Sequence, residues 1–103
     1  KVQPLHHSLN IPFSYYLTPG HAPGHVVYYH NKDEVLICGD LFISHSESLH
    51  PPISKFTYDM AQNISNGKII DTVKPKLITT SHGDDINYSE EIYSIYKFKY
   101  EER

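Results

Sequence analysis

The segment Thr18-Pro19-Gly20-His21-Ala22-Pro23-Gly24-His25 constrains this chain more than any other stretch. Its prolines fix φ and remove N–H donors, and its glycines free the backbone to turn, so neither a regular helix nor an unbroken strand can run through it. The chain must turn tightly there while it holds two imidazoles in set directions. An oriented imidazole is the commonest protein metal ligand. The plain alternative is a turn histidine bonded to backbone, so the reading depends on which other ligand-type residues join it.

Two later segments share the same design, in which a strand or tight turn ends and a ligand-type side chain follows at once. Gly39-Asp40 follows the apolar run Val35 to Cys38, and Ser81-His82-Gly83 follows Leu77 to Thr80. Strand ends in layered α/β folds converge on one edge of the sheet, which can bring His21, Asp40 and His82 together. Glycine beside each ligand removes a Cβ and lets the backbone approach closely. Two imidazoles and a carboxylate form a nitrogen and oxygen set suited to zinc, or to iron or manganese. His45 and His50 read as solvated loop residues, His6, His7 and His30 as surface or strand-end residues, and Cys38 as a small buried apolar group. Ser44, Ser46 and Ser48 lie near histidines, but no nucleophile elbow supports a serine hydrolase.

The hydrophobic pattern predicts strands over Phe13 to Leu17, His25 to His30, Val35 to Cys38 and Leu77 to Thr80. Asn31-Lys32-Asp33 is a hairpin connection without the usual glycine. Leu41 to Pro52 reads as polar and irregular. Ser54 is the expected N-cap of a helix running to about Thr72, with Phe56, Met60 and Ile64 on its apolar face and a weak point at Asn66-Gly67. A last helix, capped by Asn87 or Ser89, would bury Ile92, Ile95 and Tyr96. The fold class is α/β, with helices covering a mostly β core.

At 103 residues, with a net charge of -3, the chain is one small domain or part of one. That mild acidity gives no electrostatic reason to expect DNA, RNA or an anionic membrane as partner. No apolar run reaches the length of a membrane span. The single cysteine excludes an intrachain disulfide and fits a reducing, cytoplasmic compartment. A start at Lys1 and an end inside a charged run, Lys99 to Arg103, suggest a piece of a longer protein.

The octapeptide, then Cys38-Gly39-Asp40-Leu41-Phe42, then Ser81-His82-Gly83 resemble the third, fourth and fifth motifs of the metallo-β-lactamase superfamily, in order and spacing. The resemblance implies that His21 completes one metal site, Asp40 bridges two metals and His82 completes the second, with two zinc ions per complete domain. It implies that His25 supports the loop or a ligand rather than binding metal. The family's His-x-His-x-Asp-His motif, which supplies most ligands and the residue handling the catalytic proton, is absent, so no catalytic acid or base is assigned here. Residues 1–103 therefore correspond to the C-terminal half of an αββα sandwich. The implied activity of the full-length protein is hydrolysis of a small-molecule ester, thioester, lactone or amide through a metal-activated water, and this chain alone is expected to be inactive. The alternative is a non-catalytic fragment that self-associates or packs on a partner through an exposed sheet edge.

Overall fold

A computed structural model of the chain describes residues 2–4 and 13–101; the expectations for His6 and His7 fall outside them. Eight strands are present: β1 (Val2–Pro4), β2 (Phe13–Leu17), β3 (Val26–His30), β4 (Val35–Ile37), β5 (Ile43–His45), β6 (Ser48–His50), β7 (Leu77–Thr79) and β8 (Ile86–Asn87). Six of them form one sheet in the order β1-β2-β3-β4-β7-β8, and β5 and β6 form a separate hairpin. The β4–β7 pair is parallel, and the long connection between them carries the β5–β6 hairpin and two helices. Among the described residues three short α-helices are present, α1 (Met60–Ser65), α2 (Ile69–Val73) and α3 (Glu90–Tyr96), the last continuing as a π-helical turn over Lys97–Glu101.

Strand alternation divides the sheet into two unlike faces. Tyr29, Leu36, Ile78 and Ile86 pair across β3, β4, β7 and β8 and are all buried. With Val27 they meet Ile69, Ile70, Tyr93 and Tyr96 from the helices, which makes one core. Each fully buried aliphatic side chain there contributes about 1.5–3 kcal/mol. The opposite row runs Tyr15, Tyr28, Ile37 and Thr79 across the same strands, and none of these four is buried. On that face Leu17 is 50% exposed, and Tyr28 and Ile37 are each 37% exposed.

The four strands predicted from the sequence form at those places, and Lys74-Pro75-Lys76 ends the helical segment, with Lys74 in the left-handed region at φ 46. The hairpin connection closes at Glu34, φ 59, where the usual glycine is missing. Three expectations are corrected. Leu41 to Pro52 is not irregular but holds the β5–β6 hairpin, whose turn places Ser46 and Glu47 at φ 51 and 59. Ser54 does not cap a long helix, since Ser54–Phe56 is an isolated 3-10 turn and α1 starts later, where the Asp59 carboxylate accepts the Gln62 N–H at 3.0 Å. In α3 the buried residues are Tyr93 and Tyr96, whereas Ile95 is exposed. The weak point at Asn66-Gly67 does break the helical run, as a 3-10 turn between α1 and α2.

Candidate metal centre

The octapeptide forms a closed loop after β2. The Thr18 N–H donates to the His25 carbonyl at 2.9 Å, and the His25 N–H donates to Ala22 at 3.2 Å. Gly20 sits at φ 150, and a Cβ there would land on the Asn63 backbone. Asn63 is fully buried on α1 and ties two loops together. Its Oδ1 accepts the His21 N–H at 3.1 Å, and its Nδ2 donates to the Leu41 carbonyl at 3.1 Å. The chain just before α1 adds two more bonds, from Tyr58 N–H to the His21 carbonyl and from Asp59 N–H to that of Gly20.

The His21 ring is oriented by Thr57. Thr57 Oγ1 donates its proton to the Ile53 carbonyl at 2.8 Å, so toward His21 Nδ1, 3.4 Å away, it can only accept. In that contact Nδ1 is the donor, which turns Nε2 away from Thr57. That Nε2 faces Asp40 Oδ2 at 3.5 Å. The other carboxylate oxygen, Oδ1, faces His82 Nε2 at 3.4 Å. Asp40 thus stands between the two imidazoles, one oxygen toward each.

His25 points into the same turn but is already engaged. Its Nε2 accepts the Asp40 backbone N–H at 3.0 Å, which leaves Nδ1 to donate to Thr18 Oγ1 at 3.0 Å. Burial is the main cause that holds this imidazole below its ordinary pKa, and so neutral. Gly39, at φ 55, packs against the ring, where a Cβ would meet Nε2 at 3.1 Å. The His82 loop is fixed through its backbone, whose carbonyl accepts from Ser44 N–H at 3.1 Å and Thr80 Oγ1 at 2.7 Å. Its ring remains 70% exposed.

The distances around Asp40 suit shared coordination better than direct hydrogen bonding. Charge-assisted N–H···O bonds run about 2.7–2.9 Å. Two donors each 2.0–2.1 Å from one tetrahedral zinc ion lie about 3.4 Å apart. Both the His21–Asp40 and the Asp40–His82 separations match that edge. Among the described residues no group of three metal-ligating side chains converges on one point. The donors instead form two pairs that share Asp40.

The profile of the Metallo-beta-lactamase superfamily matches residues 6–82. This chain belongs to the metallo-β-lactamase superfamily. Over 101 residues it is 54% identical to the probable metallo-hydrolase YybB of Bacillus subtilis, covering 96% of this chain and 46% of that protein. A second relative in the same organism, the probable metallo-hydrolase YflN, is 28% identical over 97 residues, covering 80% of this chain and 37% of that protein. The chain thus spans about half or less of the length of these curated relatives. A metallo-beta-lactamase family protein of Thermus thermophilus shares the fold at a TM-score of 0.67 and 18% identity, over 87% of this chain and 30% of that one. Membership of the metallo-β-lactamase superfamily implies dependence on a metal ion.

Four site residues read from the sequence come together: Asp40 lies between His21 and His82, and His25 bonds the Asp40 backbone. His45 and His50 lie on the hairpin instead, and His50 Nδ1 is bonded to the Tyr100 hydroxyl at 2.8 Å. Sequence reasoning missed Asn63 and Thr57. A lone Asn or Thr carries no motif, and only the impossibility of a Cβ at Gly20 signals that something packs there.

Proposed function

We propose that this chain carries the third to fifth motif regions of a metal-dependent hydrolase and supplies His21, Asp40 and His82 as ligands to two zinc ions. The observation that carries the reading is the Asp40 carboxylate set between two imidazole Nε2 atoms at ligand–ligand spacing. Zinc, when bound, brings a water acidified to a pKa of about 7 and Lewis-acid polarisation of a carbonyl, the chemistry that opens an ester, thioester, lactone or amide. The chain's own residues hold that centre. Thr57 Oγ1 accepts from His21 Nδ1 and so turns Nε2 toward Asp40. His25 fixes the Asp40 backbone while remaining outside the ligand set. Asn63 keeps the His21 and Asp40 loops at one separation.

None of these groups is assigned as the catalytic acid or base, because the resemblance places that role in the absent His-x-His-x-Asp-His motif. Residues 1–103 by themselves are therefore expected to bind zinc weakly and to turn over no activated ester or lactone. Measurable zinc-dependent hydrolysis by this chain alone, lost in Asp40→Ala, would overturn the assignment of the missing catalytic group to another segment.

A second reading rests on the uncovered sheet face. Leu17, Tyr28 and Ile37 form an apolar surface on one side of the sheet, and self-association of this chain would cover it. Light scattering across a concentration series tests this: a strictly monomeric folded chain contradicts it.

A further inference from the structure

Resting on the hydrolase reading above, we infer that the substrate carries an uncharged apolar acyl group, which lies against Ile43, Pro52, Ile53 and Phe56 while its carbonyl faces His21, Asp40 and His82. These seven residues line one cleft of about 460 Å³, with the ligand-type side chains and the apolar ones in the same cavity. The volume is that of a small-molecule site.

The apolar wall is held in place rather than left loose. The Phe56 N–H donates to Ile53 at 3.0 Å, and the Thr57 N–H donates to Ser54 at 3.1 Å. Thr57 Oγ1 clamps the same Ile53 carbonyl and reaches His21 Nδ1. The next residue, Tyr58, donates its N–H to the His21 carbonyl at 3.1 Å. Pro51 and Pro52 stiffen the approach to the turn. A rigid turn bonded to a candidate metal ligand thus holds Ile53 and Phe56 at 58% and 65% exposure, although both would be better buried.

Charge narrows the class further. Among the described residues no Lys or Arg lines the cleft, so the wall of Ile43, Pro52, Ile53 and Phe56 offers no cationic partner to an anionic substrate tail. The Lys55 ammonium lies over the Phe56 ring, 5.9 Å from its centroid, and is not part of the lining. An aliphatic or aromatic acyl group is the chemistry that matches.

Amide-resolved NMR of this chain, titrated with unbranched primary amides from propanamide to hexanamide, tests the inference, because these probes carry the acyl group and are not easily hydrolysed. Shifts should concentrate at Ile43, Ile53 and Phe56, and affinity should rise about two- to fourfold per methylene. The Ile53→Ser/Phe56→Ser double variant should flatten that series, while Leu17→Ser, outside the cleft lining, should leave it unchanged. Both sites are surface-exposed, and retention of the dispersed spectrum checks that the variants fold. A flat series in the unsubstituted chain, a series unaffected by the double variant, or shifts centred on Leu17, Tyr28 and Ile37 would overturn the inference. Zinc titrated in parallel separates the two claims. Zinc shifts at His21 and His82 with a flat amide series would sink only the acyl subsite. An intact amide series without zinc binding would sink the hydrolase reading and leave the apolar subsite alone.

Discussion

Asn63 makes two hydrogen bonds that no other described side chain replaces, one to the His21 N–H and one to the Leu41 carbonyl. Asn63→Ala should leave both groups unpaired and destabilise the fold by about 1–3 kcal/mol for each, read as a lower urea midpoint. An unchanged midpoint would show that the clamp is replaced by water. His25 should behave differently, because it acts on the candidate centre through the Asp40 backbone. His25→Ala should weaken zinc binding by about ten- to a hundredfold without abolishing it, measured by competition with a chelating dye. Complete loss of binding would make His25 a ligand itself. At this scale the ligand-type residues were legible because the octapeptide, Gly-Asp and Ser-His-Gly each stand at an element boundary. Asn63 and Thr57 were not, because their roles exist only once segments far apart in sequence meet.

The β5–β6 hairpin was hidden for a related reason. Its turn uses Ser46-Glu47 at φ 51 and 59, where two-residue hairpins favour Asn-Gly, so the sequence carries no turn signal. Ser46→Asn/Glu47→Gly should relieve the left-handed strain and stabilise the chain by about 1 kcal/mol or more, read from the urea midpoint. No gain would mean that the side chains offset the strain. The first helix was misplaced because Phe56, Met60 and Ile64 keep a four-residue spacing, yet Phe56 lies on the 3-10 turn against the cleft and α1 begins only after Asp59. The same hairpin supplies a pH dependence. Burial first, then the Lys99 and His45 charges, hold His50 below its ordinary pKa, against an opposing effect of the His45 backbone. A depressed folded pKa means that the unfolded chain binds more protons, so this share of stability is present above about pH 6.5 and fades as pH falls below it. His50→Gln should make stability between pH 7 and pH 5 less pH-dependent than in the parent chain. An identical slope would remove His50 from the acid response.

At the scale of the whole molecule, the described residues form one main sheet whose core-facing side packs the helices, and this follows from strand patterning that the sequence displayed only in part. Val35 to Cys38 reads as apolar on both faces, which suits a strand covered twice, and Leu77 to Thr80 as a short buried strand. The described residues cover them once and leave Leu17, Tyr28 and Ile37 on the open side. Replacing Leu17 and Ile37 with Lys should lower any self-association seen by light scattering, and association that persists would place the contact elsewhere. The proposed centre, too, belongs to this scale, because its three side chains arrive from the loops after β2, β4 and β7. The most direct test follows the imidazole nitrogen shifts of His21 and His82 by NMR as zinc is added to the parent chain and to Asp40→Ala. In the parent chain both Nε2 signals should move together, ahead of His30, His45 and His50, and in Asp40→Ala both responses should weaken together. Zinc moving His45 and His50 first, or binding His21 and His82 with undiminished affinity in Asp40→Ala, would contradict a centre built on a shared Asp40.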